Sequence, residues 1–135
     1  MKPRPYRKLL KKMDAYLEKT AKKTTNSPVF LKVSNFKDKT EVARLVKYEP
    51  NARGREKGLP TEYEVVFSKR EINECRTKNP NCERDMKQII SHELAHINHP
   101  SSAPHYRHSP EFRSECHRLG GGNRCIARGI ERSRR

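Results

Sequence analysis

The 135-residue sequence contains no tryptophan and no apolar run near the roughly 20 residues that a membrane-spanning helix needs. Its basic N-terminus lacks the apolar stretch and the cleavage site of a secretory signal. Only 32% of the residues are hydrophobic, whereas 35% are charged. We therefore expect a small intracellular protein with a thin core, outside any membrane and monomeric.

Acidic residues are scarce as well: 16 Asp or Glu stand against 31 Lys or Arg, which gives a formal net charge of +15. The excess lies towards both ends of the chain, and the stretch from Thr61 to Leu119 is nearly neutral. A single lysine run is ordinarily a solvated helix face, but +15 predicts attraction to nucleic acid. The candidate contacts are Lys8, Lys11, Lys12, Arg124 and Arg128.

The apolar periodicity predicts an α+β fold in one domain, residues 1–121, followed by a basic, flexible tail over 122–135. An amphipathic helix is expected over residues 6–23, and a polar loop over 50–60. Stretches rich in β-branched and aromatic residues predict three strands, at Val29–Val33, Glu41–Tyr48 and Thr61–Ser68. Two further helices are expected, from Glu83 to about His99 and from Pro110 to Leu119.

The strongest chemical signal is the sequence His92-Glu93-Leu94-Ala95-His96, an HExxH motif inside a predicted helix. Its four-residue spacing puts the two histidines on one helix face, where both imidazoles can reach one zinc ion. Glu93 can then accept a proton from water bound to that ion. The competing interpretation is a surface helix with two incidental histidines. An apolar stripe supports a helix that packs on one side, namely Met86, Ile90, Leu94 and Ile97.

A catalytic zinc site needs a third protein ligand and an open position for water. Six residues after His96, where metzincins have a histidine, this chain has Ser102, which excludes that class. Spacing leaves four candidates, of which the first is favoured because it opens the next helix: His108, Glu115, His105 and His99.

The HELAH motif, together with the run from His108 through Ser109 and Phe112 to Gly121, resembles the SprT-like zinc metallopeptidases. The WLM and YgjP-like metallohydrolases share this pattern. The resemblance implies a minimal zincin fold, one Zn²⁺ held by His92, His96 and His108, and hydrolysis of peptide bonds. Several members cleave proteins attached to DNA, and nucleic acid stimulates them. Unlike many members, this chain has no C-terminal zinc ribbon with paired CxxC motifs.

In the implied mechanism, Glu93 is the general base, and Tyr106 or Arg107 helps to polarise the peptide carbonyl. The ordinary interpretation of these two residues is a surface loop. The third strand is expected to be the edge beside the cleft, where an extended substrate could add to it. Its apolar residues would equally serve as ordinary core.

The four cysteines, Cys75, Cys82, Cys116 and Cys125, form no CxxC pair, so no second zinc site is expected. Because an intracellular chain keeps its thiols reduced, we expect four reduced cysteines that are structural or incidental. Disulfides pairing Cys75 with Cys82 and Cys116 with Cys125 would need an oxidising or hyperthermophilic setting.

The sequence thus predicts a zinc metalloendopeptidase that acts on DNA-associated or DNA-crosslinked proteins. Two alternatives stay open. One is a nucleic-acid-binding protein whose zinc site is structural or idle, and the other is a YgjP-like metallohydrolase with a different substrate.

Overall fold

In the computed structural model, which describes residues 6–100 and 109–125, helices pack against one three-stranded sheet. The predicted α+β class is confirmed. The elements in chain order are α1 (Tyr6–Ala21), β1 (Val29–Ser34), β2 (Ala43–Tyr48), α2 (Ala52–Glu56), β3 (Glu62–Ser68), α3 (Lys69–Lys78), α4 (Cys82–Ala95), α5 (Pro110–Arg118) and a 3-10 turn (Gly122–Cys125). Among the described residues, no helix is long and apolar enough to cross a membrane.

The sheet has the strand order β1-β3-β2, with β3 parallel to β1 and antiparallel to β2. The prediction that the third strand is an edge is therefore wrong. The physical reason is composition, since Val65, Val66 and Phe67 in a row are all buried, and a strand covered on both faces occupies the middle of a sheet. The edges are β1 and β2.

Helix α4 lies at the centre of the molecule. It packs on the sheet through β2 and β3, on α1, and on α5 with the 3-10 turn. The α1 side of this packing is the predicted amphipathic stripe, with Leu9, Met13 and Leu17 fully buried. Of the predicted α4 stripe, Met86, Ile90 and Leu94 are buried.

Two helices lie where the sequence predicted none. Helix α2 occupies part of the predicted loop, and α3 follows β3 directly. The Oγ of Ser68 caps α3 by accepting a hydrogen bond from the Glu71 N–H at 3.3 Å. The Ser-x-x-Glu spacing is the sequence pattern of a capping box, which was the signal for this helix.

All four cysteines are paired, so the expectation of reduced thiols is wrong. One disulfide joins Cys75 in α3 to Cys82, the first residue of α4, and the other joins Cys116 in α5 to Cys125. Cys125 is fully buried, and the first residues of the predicted flexible tail therefore form the ordered 3-10 turn. Residues 126–135 lie outside the described part of the chain.

Candidate metal centre

His92 and His96 lie at the C-terminal end of α4, with their ring centroids 5.0 Å apart. Two imidazoles that bind one tetrahedral zinc ion at about 2.0–2.1 Å have ring centres roughly 5 Å apart. The four-residue spacing thus brings the two rings together as predicted. His92 is 6% exposed, which does not fit an incidental histidine on a surface helix.

A backbone carbonyl fixes the tautomer of each ring. The Nδ1 of His92 lies 2.7 Å from the carbonyl oxygen of Arg124, and the Nδ1 of His96 lies 3.1 Å from that of His99. A carbonyl oxygen can only accept, so each Nδ1 carries the proton in these hydrogen bonds. In a neutral ring the lone pair is then on Nε2, which is the state of a metal-binding histidine with its outer partner in place.

Phe112 contacts both imidazoles and is 1% exposed. Its ring stacks on His96 at a centroid distance of 4.4 Å and meets His92 edge-on at 5.0 Å. The start of α5 sets its position, because the Oγ of Ser109 accepts a hydrogen bond from the Phe112 N–H at 3.0 Å. The chain therefore enters α5 within one turn of the phenyl ring that covers the two histidines.

Glu93 is partly buried. Burial raises its pKa from the ordinary 4.5 to about 8, and the negative charge of Glu41 acts in the same direction. Glu41 stands just before β2 and is paired with Arg44 at 2.6 Å. At neutral pH Glu93 thus keeps its proton unless a cation beside it favours the ionised form.

Burial also shifts the pKa of His96, but downwards. It lowers the pKa of the imidazole below the ordinary 6.5, the charge of His99 lowers it further, and the hydrogen bond to the His99 carbonyl opposes them. The neutral ring is therefore favoured, which is the form that binds metal.

Two of the four candidate third ligands lie in the described part of the chain. His99 supplies the carbonyl that holds His96, and Glu115 accepts hydrogen bonds from Thr24 Oγ1 at 2.7 Å and Arg118 Nε at 2.8 Å. The guanidinium of Arg118 and the Thr24 hydroxyl also lower the pKa of Glu115 against a smaller effect of burial.

Within residues 6–100 and 109–125, no three metal-ligating side chains form a group that could hold an ion. A third ligand therefore remains a prediction. The other two candidates, His105 and His108, lie outside the described residues, as do Tyr106 and Arg107.

The predicted nucleic-acid contacts of α1 are exposed but far from the histidines. Lys12 lies 3.4 Å from Glu83 at the start of α4, and Thr24, just after α1, contacts Asn98, just after α4. The two helices therefore run in the same direction. His92 and His96 are 9 and 13 residues beyond Glu83, about 14 and 20 Å along a helix at 1.5 Å per residue. The remaining predicted contacts of α1 are Lys8 and Lys11, and the exposed lysines nearer the histidines are Lys19, Lys22 and Lys23.

Arg124 was a candidate for its side chain, yet its main-chain oxygen is the group that reaches His92. Its side chain is exposed, and Arg128 lies outside the described residues. A carbonyl acceptor is common to every residue, so no sequence pattern could have indicated this contact.

No protein-family model, curated protein or solved structure matches this chain. Function is therefore inferred from the residues of α4 and from what surrounds them.

Proposed function

We propose that this protein is a zinc-dependent metalloendopeptidase of SprT-like type, with a zincin-like arrangement of its helices and sheet. The proposed substrates are proteins associated with DNA or crosslinked to it. The observation that best supports the proposal is the pair of fixed tautomers: His92 and His96 both donate from Nδ1 to backbone carbonyls. Both rings therefore carry the lone pair on Nε2, the atom that would bind the ion, and Glu93 follows His92 directly in the chain.

The donor chemistry of the described residues fits zinc. His92 and His96 would hold the ion, with His108 proposed as the third ligand from the family resemblance. When bound, Zn²⁺ supplies a Lewis acid that polarises the scissile carbonyl and makes water acidic enough to attack near pH 7. Glu93 takes the proton from the attacking water and passes it to the leaving amine. A cation bound nearby would favour the ionised form of Glu93, which is the form that can take this proton.

Strand β2 replaces β3 as the proposed substrate-binding edge. It packs against α4, and Glu41, two residues before it, influences Glu93, so the start of this edge is near the candidate site. An extended peptide could pair with the outer side of β2 through main-chain hydrogen bonds. Such pairing is largely independent of side chains, which suits an enzyme that cleaves varied DNA-bound proteins.

Glu93 also separates this proposal from a nucleic-acid-binding protein with a structural zinc site. A structural site has closed coordination and no use for a neighbouring carboxyl group. Burying a carboxyl group so that its pKa rises to about 8 destabilises the fold at neutral pH. Such perturbed groups are typical of functional sites.

The two disulfides bear on where the enzyme works. Disulfides are rare in the cytosol of mesophiles and frequent in oxidising compartments and in intracellular proteins of hyperthermophiles. If the protein works on DNA inside the cell, its disulfides therefore indicate a hyperthermophilic organism. The two disulfides also favour a second candidate, a zinc peptidase that works in an oxidising compartment. Its basic surface would then bind a polyanion other than DNA.

The test is zinc analysis combined with cleavage of a protein substrate, with and without single- and double-stranded DNA. We expect about one zinc per chain, loss of zinc in His92→Ala, and retained zinc without cleavage in Glu93→Gln. Glu83→Gln is the matched control, since it changes another carboxyl group of α4 about 15 Å away, and it should behave like the wild type. Zinc retention in His108→Ala would move the third-ligand proposal to another residue.

A wild-type protein that binds DNA tightly but cleaves nothing under any of these conditions would favour the idle-site alternative. Cleavage of a small non-peptide substrate alone, with loss in Glu93→Gln, would favour the YgjP-like alternative. A protein without zinc after saturation with the ion would contradict all three.

A further inference from the structure

The Cys116–Cys125 disulfide closes a short loop directly behind the candidate metal centre. Both cysteines are fully buried, and their Cα atoms lie 5.5 Å apart. The bond joins the last full turn of α5 to the end of the 3-10 turn. It therefore fixes the path of the chain where it passes His92.

The glycines between the two cysteines make this loop tight. Gly120 has a φ of +97° and ends α5, with the Gly121 N–H donating to the Cys116 carbonyl at 2.8 Å in a Schellman arrangement. Gly121 packs against the disulfide so closely that an added Cβ would overlap both sulfur atoms. The loop thus closes over the sulfur atoms without room for a side chain at this position.

The carbonyl that holds His92 belongs to the peptide group that enters Cys125. The Arg124 carbonyl carbon is bonded to the Cys125 nitrogen, and its oxygen lies 2.7 Å from the Nδ1 of His92. We propose that the Cys116–Cys125 disulfide is a positioning element for His92. It holds the Arg124 carbonyl where it fixes the tautomer and orientation of a metal-ligating ring.

This inference rests on the proposed metal site, and it predicts an effect on metal affinity beyond an effect on folding. Loss of the outer partner of a metal-binding histidine typically lowers metal affinity by about 10- to 100-fold. Without the cross-link, the 3-10 turn stays joined to α5 through Leu119, Gly120 and Gly121 and their hydrogen bonds, but the covalent link beside the Arg124 carbonyl is lost. The Arg124 carbonyl is then held less firmly relative to His92.

The second disulfide provides a matched control. Cys75 and Cys82 are separated by 7 positions, against 9 for the first pair, so the two cross-links constrain the unfolded chain similarly. The Cys75–Cys82 bond ends at the start of α4, about 15 Å along the helix from His92. Cys75 and Arg124 line the same pocket, but this bond makes no covalent link to the 3-10 turn. Its removal should therefore lower stability with a much smaller effect on the Arg124 carbonyl.

The first experiment measures Zn²⁺ affinity by competition with a chromogenic chelator, at a temperature where all proteins are folded by circular dichroism. We expect Cys116→Ala/Cys125→Ala to lose about 10- to 100-fold in affinity. Cys75→Ala/Cys82→Ala should stay within about 3-fold of the wild type, well below the range expected for a lost outer partner. Equal losses in both variants, or no loss in either, would overturn the proposal.

The second experiment needs no metal and records the imidazole ¹⁵N signals of the metal-free protein. In the wild type, His92 should be protonated on Nδ1, and in Cys116→Ala/Cys125→Ala it should become a mixture of both tautomers. His96, whose Nδ1 partner is the His99 carbonyl, should be unchanged and serves as the internal control. An unchanged His92 signal would contradict the positioning role, even if the protein proved to bind no zinc.

If the double alanine variant does not fold, insertion of one glycine after Asn123 replaces it. The insertion keeps the disulfide but displaces the Arg124 carbonyl, and it should shift the His92 signals in the same way. Wild-type His92 signals in a folded insertion variant would refute the proposal.

Discussion

The raised pKa of Glu93 should make the metal-free protein less stable as the pH rises. This pKa is raised from 4.5 to about 8 by burial and by the charge of Glu41. At about 1.36 kcal/mol per pH unit, this difference amounts to about 5 kcal/mol. Glu93→Gln removes the ionisable group and keeps the shape of the side chain, so the variant should escape this cost.

The direction of the effect follows from proton binding. Below pH 4.5 the group is protonated in the folded and the unfolded chain, and it adds no pH dependence. Between about 4.5 and 8 the folded protein keeps a proton that the unfolded chain has released, so the free energy of unfolding falls with rising pH. Relative to the wild type, Glu93→Gln should therefore gain stability steadily across this window, by up to about 5 kcal/mol, and no further above pH 8.

Urea unfolding followed by circular dichroism, from pH 4 to pH 9 with a chelator present, measures this difference. Glu83→Gln is the control of opposite sign, because the hydrogen bond from Lys87 lowers the pKa of Glu83 against a smaller effect of burial. The stability that Glu83 contributes is present above the ordinary pKa and is lost as the pH falls. A constant difference between Glu93→Gln and wild type would refute the reasoning, since Glu93 would then ionise like an exposed carboxyl group.

Two further predictions concern α5 and α1. Ser109→Ala removes the hydroxyl that caps α5 and should lower the free energy of unfolding by about 1 kcal/mol in urea titrations, whereas Ser114→Ala on an exposed position should not; equal effects would contradict the capping role. Two triple alanine variants change Lys8, Lys11 and Lys12, or Lys19, Lys22 and Lys23. In salt titrations of duplex DNA binding, each should flatten the slope of log K against log salt by up to about 3. Only the second variant should abolish DNA-stimulated cleavage, and equal loss of stimulation in both would contradict this.

The elements that the sequence predicted are those with a clear apolar periodicity. Helix α1 follows its buried stripe, and the three strands lie within a few residues of their predicted bounds. Helix α3 was missed because Ile72 is the only fully buried residue among its ten, so its helical pattern is carried by its cap instead. The sheet order was missed because strand neighbours depend on contacts between distant segments, which a single strand does not reveal.

The candidate site likewise has a part that the sequence predicted and a part that it did not. The geometry of a helix alone places His92 and His96 together, so the motif predicted their pairing. The His99 carbonyl that holds His96 is local, but Phe112 comes from α5, and the Arg124 carbonyl that holds His92 lies 32 residues away in the 3-10 turn. Sequence spacing offered the two cysteine pairings, but it carried no information on whether the thiols are oxidised.

The two disulfides contribute stability of about the size that the candidate site costs. Ionisation of Glu93 in its buried position costs up to about 5 kcal/mol, a large part of the roughly 5–15 kcal/mol by which domains are ordinarily stable. Closing loops of 7 and 9 positions contributes about 2.5 kcal/mol each by the loss of unfolded-chain entropy, or about 5 kcal/mol together. The two contributions are of similar size and opposite sign. The two cross-links, one on either side of the imidazoles along the chain, can therefore offset the cost of Glu93 in a basic chain with few apolar residues.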